Sequence, residues 1–257
     1  MIDLKGATAL VTGGSRGIGR ATALLLADCG ADVGIVYRSR RAEAEAVVRA
    51  IRDKGCRSFA GAADLADAGA VDKVFREFRA GFGHLDLLVA NAGIWPEEGV
   101  PLKALPPERW HATVAANLDS IYYTVRGALP LMRRGGDAGG CGGSVVLVSS
   151  TAGQRGEAGH ADYAATKGAI ISLTKSLAVE CAPDVRVNCV APGWVDTEMS
   201  AGPLGGEAAG RIRAEIPLRR VADAEDIAGP ILFLCSDLAR QITGEVINVN
   251  GGSVLCG

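Results

Sequence analysis

The 257-residue chain has few of the groups that build metal centres or cross-linked scaffolds. Histidine occurs three times, at His84, His111 and His160, and does not cluster with cysteine. The seven cysteines (Cys29, Cys56, Cys141, Cys181, Cys189, Cys235 and Cys256) are odd in number, dispersed, and form no CxxC pair. That argues against a disulfide framework or a zinc site and leaves reduced thiols and no metal as the expectation. No apolar run approaches the roughly 18–20 residues of a membrane span. The opening MIDLKGATALVTGG is strand-like and lacks the charged start and apolar stretch of a signal peptide, so the expected location is the cytoplasm. An excess of one charge is missing too. Lysine and arginine total 27 against 29 acids, a net charge of −2 with a pI near 6.0, which offers no surface to nucleic acid or an anionic membrane. Nor is there a linker long enough to separate two domains, since GGDAGGCGG (135–143) only joins a helix to a strand.

What the chain does have is apolar content and glycine. Hydrophobic residues make up 48% and mean hydropathy is +0.20, ample for a sizeable core. The 35 glycines, roughly twice average usage, are spread out as tight turns and close approaches. Short β-branched runs at 7–12, 32–37, 57–64, 85–91, 144–150, 185–192 and 245–250 alternate with longer helical stretches. The helices are expected at 20–30, 41–55 (with Glu45 and Arg49 at i,i+4 spacing), 67–83, 107–134 and 162–181. Such alternation, with near-continuous apolar strands, predicts one α/β domain over residues 1–257. The architecture is a Rossmann-like three-layer sandwich, a seven-stranded parallel sheet with helices on both faces.

After the first strand comes Gly13-Gly14-Ser15-Arg16-Gly17-Ile18-Gly19, then a helix. The GxGxxG spacing fails, because position 22 is Thr22. A strand turning sharply into a helix still presents free N–H groups to a phosphate, and glycines let the backbone approach it. By itself the segment reads either as a nucleotide loop or as a simple turn. Thr12-Gly13-x-x-x-Gly17-x-Gly19, however, resembles the TGxxxGxG loop of the short-chain dehydrogenase/reductase family. Asn91-Ala92-Gly93, then Ser150 followed by Tyr163-x-x-x-Lys167, then Pro192-Gly193 match the same family in order, over residues 5–252.

The resemblance implies a nicotinamide cofactor held by Gly13, Ser15, Arg16, Gly17, Ile18 and Gly19. It assigns adenine contact to Asp64 and Leu65, and sheet and ribose support to Asn91, Ala92 and Gly93. Pro192, Gly193, Val195 and Thr197 then close over the nicotinamide. NAD sites carry an acid about 20 residues after the loop, but the second strand here ends Val36-Tyr37-Arg38-Ser39-Arg40. Arg38, beside Ser39, offers a planar fork to a 2′-phosphate, with Arg16 on the same side, so NADP(H) is expected. Arg40 and Arg41 read as a solvated helix start.

Tyr163 and Lys167 share one helical face. A tyrosine ionises near pH 10, and a nearby ammonium with the positive oxidised cofactor is expected to lower that value. Tyr163 then exchanges a proton with a carbonyl or alcohol oxygen, and Ser150 stabilises the same oxygen. Ser150 is preferred over Ser149 because its gap of 13 residues to Tyr163 matches the family and strand alternation turns the two serines apart. In the family the lysine also binds the nicotinamide ribose, and an asparagine matched by Asn117 anchors a relay water. His160 reads as a surface-loop residue, Gln154 and Glu157 as pocket wall, and 198–216, within a segment of about 194–217, as a mobile substrate lid.

The tail from Ile242 to Gly252 looks most like bacterial 3-oxoacyl-[acyl-carrier-protein] reductases, which implies a β-ketoacyl thioester as substrate and a homotetramer (or homodimer). Two features depart from that group. The turn Cys181-Ala182-Pro183-Asp184 carries no base for an acidic carrier, leaving Arg133, Arg134 and Arg155 as substitutes, and the 135–143 loop is long. A free alcohol, sugar, steroid or polyketide-type ketone is the alternative substrate. A nucleotide-binding regulatory protein without chemistry is the remote one.

Overall fold

The computed structural model describes residues 2–132 and 142–255. Seven strands, β1 (Thr8–Thr12), β2 (Asp32–Tyr37), β3 (Ser58–Ala62), β4 (Leu87–Ala90), β5 (Gly143–Val148), β6 (Val185–Pro192) and β7 (Val246–Val249), form one sheet. Every pairing is parallel and the order is β3-β2-β1-β4-β5-β6-β7. Successive strands run outward from β1 to one edge, then restart at β4 and run to the other. The C-terminal ends of β1 and β4 therefore flank the crevice where such sheets bind ligands.

Among the described residues ten α-helices accompany the strands: α1 (Gly17–Asp28), α2 (Arg41–Asp53), α3 (Ala68–Phe82), α4 (Pro107–Val114), α5 (Ser120–Ala128), α6 (Thr151–Arg155), α7 (Ala161–Glu180), α8 (Ala201–Gly205), α9 (Ala209–Glu215) and α10 (Ala224–Cys235). Side-chain alternation along the strands divides the core in two. Val11, Ile35, Val89 and Val146 meet Leu26, Val47 and Ile231 from α1, α2 and α10. Leu10, Leu88, Leu147 and Val187 meet Phe78, Ile121 and Ile170 from α3, α5 and α7. Both faces are covered, which is why β1, β4 and β5 read as unbroken apolar runs.

The helix anticipated over 107–134 runs unbroken from Pro107 through α4, a π turn at Ala115–Asp119 and α5, and tightens into a 3₁₀ turn at Leu129–Leu131. Arg133, Arg134 and most of the 135–143 loop lie outside the described residues. Glu45 pairs with Arg41 at 2.8 Å, one turn before it, while Arg49 adds only through-space attraction. Asp67 caps α3 by accepting from the Gly69 and Ala70 amides. Among the described residues no helix is long and apolar enough to cross a membrane.

Candidate active site

At the crevice, Thr12 ties β1 to β4. Its hydroxyl accepts from the Asn91 and Ala92 amides at 2.9 and 3.0 Å, and its carbonyl accepts from Asn91 Nδ2 at 3.0 Å. The glycine loop folds against this clamp. Gly13 and Gly17 adopt φ of +67° and +52°, and a Cβ at Gly19 would stand 2.3 Å from the Gly13 carbonyl oxygen. Ser15 is buried and Ile18 half-buried. No side chain caps α1, so its first amides face the crevice without a protein acceptor. An uncapped helix start behind a glycine turn fits a dinucleotide pyrophosphate.

The adenosine end is basic, though not quite as anticipated. Arg38 and Ser39 are exposed just past the end of β2, and neither position is an acid. Arg16 is not free: its guanidinium binds the Glu198 carboxylate. Arg40, expected to be merely solvated, reaches the same Glu198 oxygen at 3.2 Å and holds Glu43 at 3.1 Å. Asp64 is exposed and accepts from the Ala66 amide, while Leu65 beside it is buried.

The other half of the crevice is a cavity of about 430 Å³, lined by Ser150, Tyr163 and Lys167 and by Trp95, Trp194 and Met199. Ser150 stands at the end of β5 and caps α6, its hydroxyl accepting from the Ala152 amide at 3.1 Å, and it favours the ionised form of the neighbouring Tyr163 hydroxyl. Ser149 points the other way and donates to the Lys167 carbonyl at 2.7 Å. Lys167 Nζ lies 5.7 Å from the Tyr163 ring centre and donates to the Val148 carbonyl at 2.9 Å. Asn117 is fully buried in the π turn. Its amide accepts from Ile94 N at 2.7 Å and donates to Ile94 O at 2.9 Å, pinning the strand-end loop. A Cβ at Gly93 would meet Asn117 Oδ1 at 2.9 Å and Lys167 Nζ at 3.5 Å, so only glycine lets these groups draw together.

The electrostatics correct one expectation. Burial pushes the Tyr163 hydroxyl up to about 12; the Ser150 hydrogen bond opposes this and Glu157 adds to it. Burial likewise lowers the Lys167 ammonium to about 8. Burial pushes both groups toward neutrality in the free protein, whereas the expected lowering of the tyrosine also draws on the positive charge of the oxidised cofactor.

His160 is the other correction. It is 7% exposed, not a surface residue: it stacks on Trp95 (ring centres 4.8 Å apart) with Nδ1 3.1 Å from a Glu157 oxygen that also accepts from the Trp95 indole at 3.1 Å. Trp194 meets Trp95 edge-on at 6.0 Å. Nothing in the sequence singles out Trp95, two residues past Gly93. Glu157 and Arg155 line the cavity, whereas Gln154 turns away to donate to Asn248 at 2.6 Å. Pro192 and Val195 are buried, Gly193 packs on Asn250, and Thr197 reaches Gly17 of the glycine loop. The 198–216 segment, read as a lid, is helical in α8 and α9 and rooted by buried Ser200, Ile212 and Ile216.

A family model described as "Enoyl-(Acyl carrier protein) reductase" matches residues 13–253. The chain is 41% identical over 246 residues to the 3-oxoacyl-[acyl-carrier-protein] reductase FabG of Staphylococcus aureus, covering 95% of this chain and 97% of that one. A solved structure titled a short-chain dehydrogenase/reductase, glucose/ribitol dehydrogenase, from Brucella melitensis superposes with a TM-score of 0.91 at 33% identity, over 99% of each chain. The chain belongs to the short-chain dehydrogenase/reductase family. A further family member, a Burkholderia cenocepacia short-chain dehydrogenase solved in complex with NADP, superposes with a TM-score of 0.89 at 36% identity, over 97% of this chain and 98% of that one. As a member of this family the chain is an oxidoreductase.

Proposed function

We propose that this family member reduces the 3-keto group of a β-ketoacyl thioester, borne on acyl-carrier protein, to a secondary alcohol with NADPH. The observation that carries the reading is the gathering of Ser150, Tyr163 and Lys167 on the wall of one cavity, with Lys167 Nζ 5.7 Å from the Tyr163 ring centre and burial holding the Tyr163 hydroxyl neutral. A neutral phenol is the acid that carbonyl reduction needs. NADPH, when bound, supplies the hydride. Tyr163 gives its proton to the ketone oxygen as the new C–H bond forms, and Ser150 donates a hydrogen bond to that oxygen while charge builds on it. The Lys167 ammonium favours the resulting phenolate and binds the nicotinamide ribose, and Asn117 positions Ile94 and Gly93 beside them. The glycine loop 13–19, Asp64 and Leu65, Asn91 to Gly93, and Pro192 to Thr197 hold the cofactor. Arg16 with Arg38 selects its 2′-phosphate.

The S. aureus relative supports the substrate class and the B. cenocepacia neighbour supports NADP. The chain works as one domain in the cytoplasm, with 194–217 as its substrate lid. Tyr122 on α5 and Val179 on α7, 52% and 80% exposed, suit the subunit contacts of a homotetramer. A free polyol or ketone is the second reading, favoured by the base-free turn at 181–184 and by the Brucella neighbour's title. Following NADPH absorbance with acetoacetyl-acyl-carrier protein beside free ketones and sugars separates the two. The reading expects kcat/KM to be highest for the thioester; preference for a free ketone overturns it.

A further inference from the structure

Three chain segments far apart in sequence meet at the adenosine end of the crevice. Arg16 comes from the loop after β1, Arg40 from the turn after β2, and Glu198 from the residue that opens the lid after β6. Both guanidinium groups converge on one atom, Glu198 Oε2, with Arg40 at 3.2 Å and Arg16 in contact. Thr197, one residue earlier, rests on the glycine loop: a Cβ at Gly17 would stand 3.4 Å from its methyl. The first turn of the lid is thus fastened over the cofactor loop by a carboxylate seated between two arginines. Two guanidinium groups aimed at one oxygen make an anion seat of the geometry that phosphate also takes.

We propose that Glu198 is an internal competitor for the 2′-phosphate of NADP(H). It occupies the Arg16–Arg40 seat in the free protein and is displaced when the dianion enters, which unfastens the lid. Glu198 thereby weakens binding of the phosphorylated cofactor, leaves the non-phosphorylated one untouched, and couples the adenosine site to the lid. The inference rests on the NADP(H) reading above. It also adds Arg40 to the 2′-phosphate site and makes the seat's availability a property of the lid.

The ion pairs are half-exposed, so each is worth little, and the competition is correspondingly modest. The test is calorimetric binding of 2′,5′-ADP and of 5′-ADP to the whole protein, as wild type, E198Q and R40Q. E198Q is expected to bind 2′,5′-ADP about three- to tenfold more tightly, with 5′-ADP unchanged, and R40Q to bind 2′,5′-ADP more weakly. Trypsin gives a second readout at Arg211 and Arg213 in α9. Cleavage there is expected to quicken when wild type binds 2′,5′-ADP, and to be equally fast in E198Q with or without it. Equal affinities of wild type and E198Q for 2′,5′-ADP overturn the inference, as does trypsin cleavage that ligand and substitution leave alike. If wild type fails to prefer 2′,5′-ADP over 5′-ADP, the NADP(H) reading itself falls.

Discussion

Replacing Asp162 with alanine tests how the tyrosine helix is held. Asp162 precedes Tyr163 in the first turn of α7 and is wholly buried. Its Oδ2 accepts from Arg109 Nε at 3.1 Å and from Thr113 Oγ1 at 2.9 Å, both on α4, and Arg109 also donates to the Glu98 carbonyl at 2.7 Å. Burial alone would raise this carboxyl, but the Thr113 and Arg109 hydrogen bonds prevail and hold it below its ordinary value. Truncating one member of such a pair leaves the other charge buried, at about 3–5 kcal/mol. For a chain of this size that is a fall in Tm of about 6–20 °C. The satisfaction is incomplete, since Asp162 Oδ1 and Arg109 Nη2 have no hydrogen-bond partner. A packed apolar pair, Asp162→Leu with Arg109→Met, is therefore expected to recover most of the loss. Because the folded carboxyl ionises below its unfolded value, its contribution is complete above about pH 4 and fades as pH falls through the folded value, so the gap between wild type and Asp162→Ala narrows in acid. Urea unfolding of the two single variants and the double one measures this. An Asp162→Ala loss under about 1 kcal/mol, or a double variant that loses the sum of the singles, refutes the reasoning.

The other expectations concern charge and packing. With Lys167 lowered to about 8 and Tyr163 raised to about 12, kcat/KM for reduction falls above pH ~8 as the ammonium is lost, long before the tyrosine ionises. A pH profile flat to about 10, the ordinary lysine value, contradicts the assignment. The sign for stability is opposite. The unfolded lysine keeps its proton between about pH 8 and its ordinary value near 10.4, so this group favours the fold increasingly as pH rises through that window. In the core, Phe78 is fully buried, stacked on Phe82 at 4.7 Å and edge-on to Phe59 at 6.2 Å. Phe78→Ala is expected to cost about 3–5 kcal/mol by denaturant titration while leaving the KM for NADPH near wild type.

The fold was legible where one physical signal dominates. β2 and β6 are buried on both faces, and their apolar runs mark both strands at their true ends. The long helix was legible but not the π turn inside it, whose cause is tertiary: Asn117 bonds Ile94 across the crevice, and no periodicity announces the turn that places it there. His160 was misread for a related reason. Gly159, at φ +82°, packs its backbone against Gly99 and turns the histidine under Trp95, some 65 residues away in sequence. Arg40 meets Glu198 across a separation of 158 residues. The family resemblance drew Ser150, Tyr163 and Lys167 together, and one strand end and one helical face place them. The protonation of Tyr163 was not legible, since desolvation depends on walls such as Trp95 and Trp194 that only the folded chain assembles.

The most direct test of the account is the steady-state rate of NADPH oxidation with acetoacetyl-acyl-carrier protein by wild type and by Tyr163→Phe, which removes one oxygen and keeps the ring. Wild type is expected to turn over, and the variant to lose about 10²–10⁴ in kcat while still binding NADPH. A Tyr163→Phe enzyme that keeps near wild-type kcat contradicts the account.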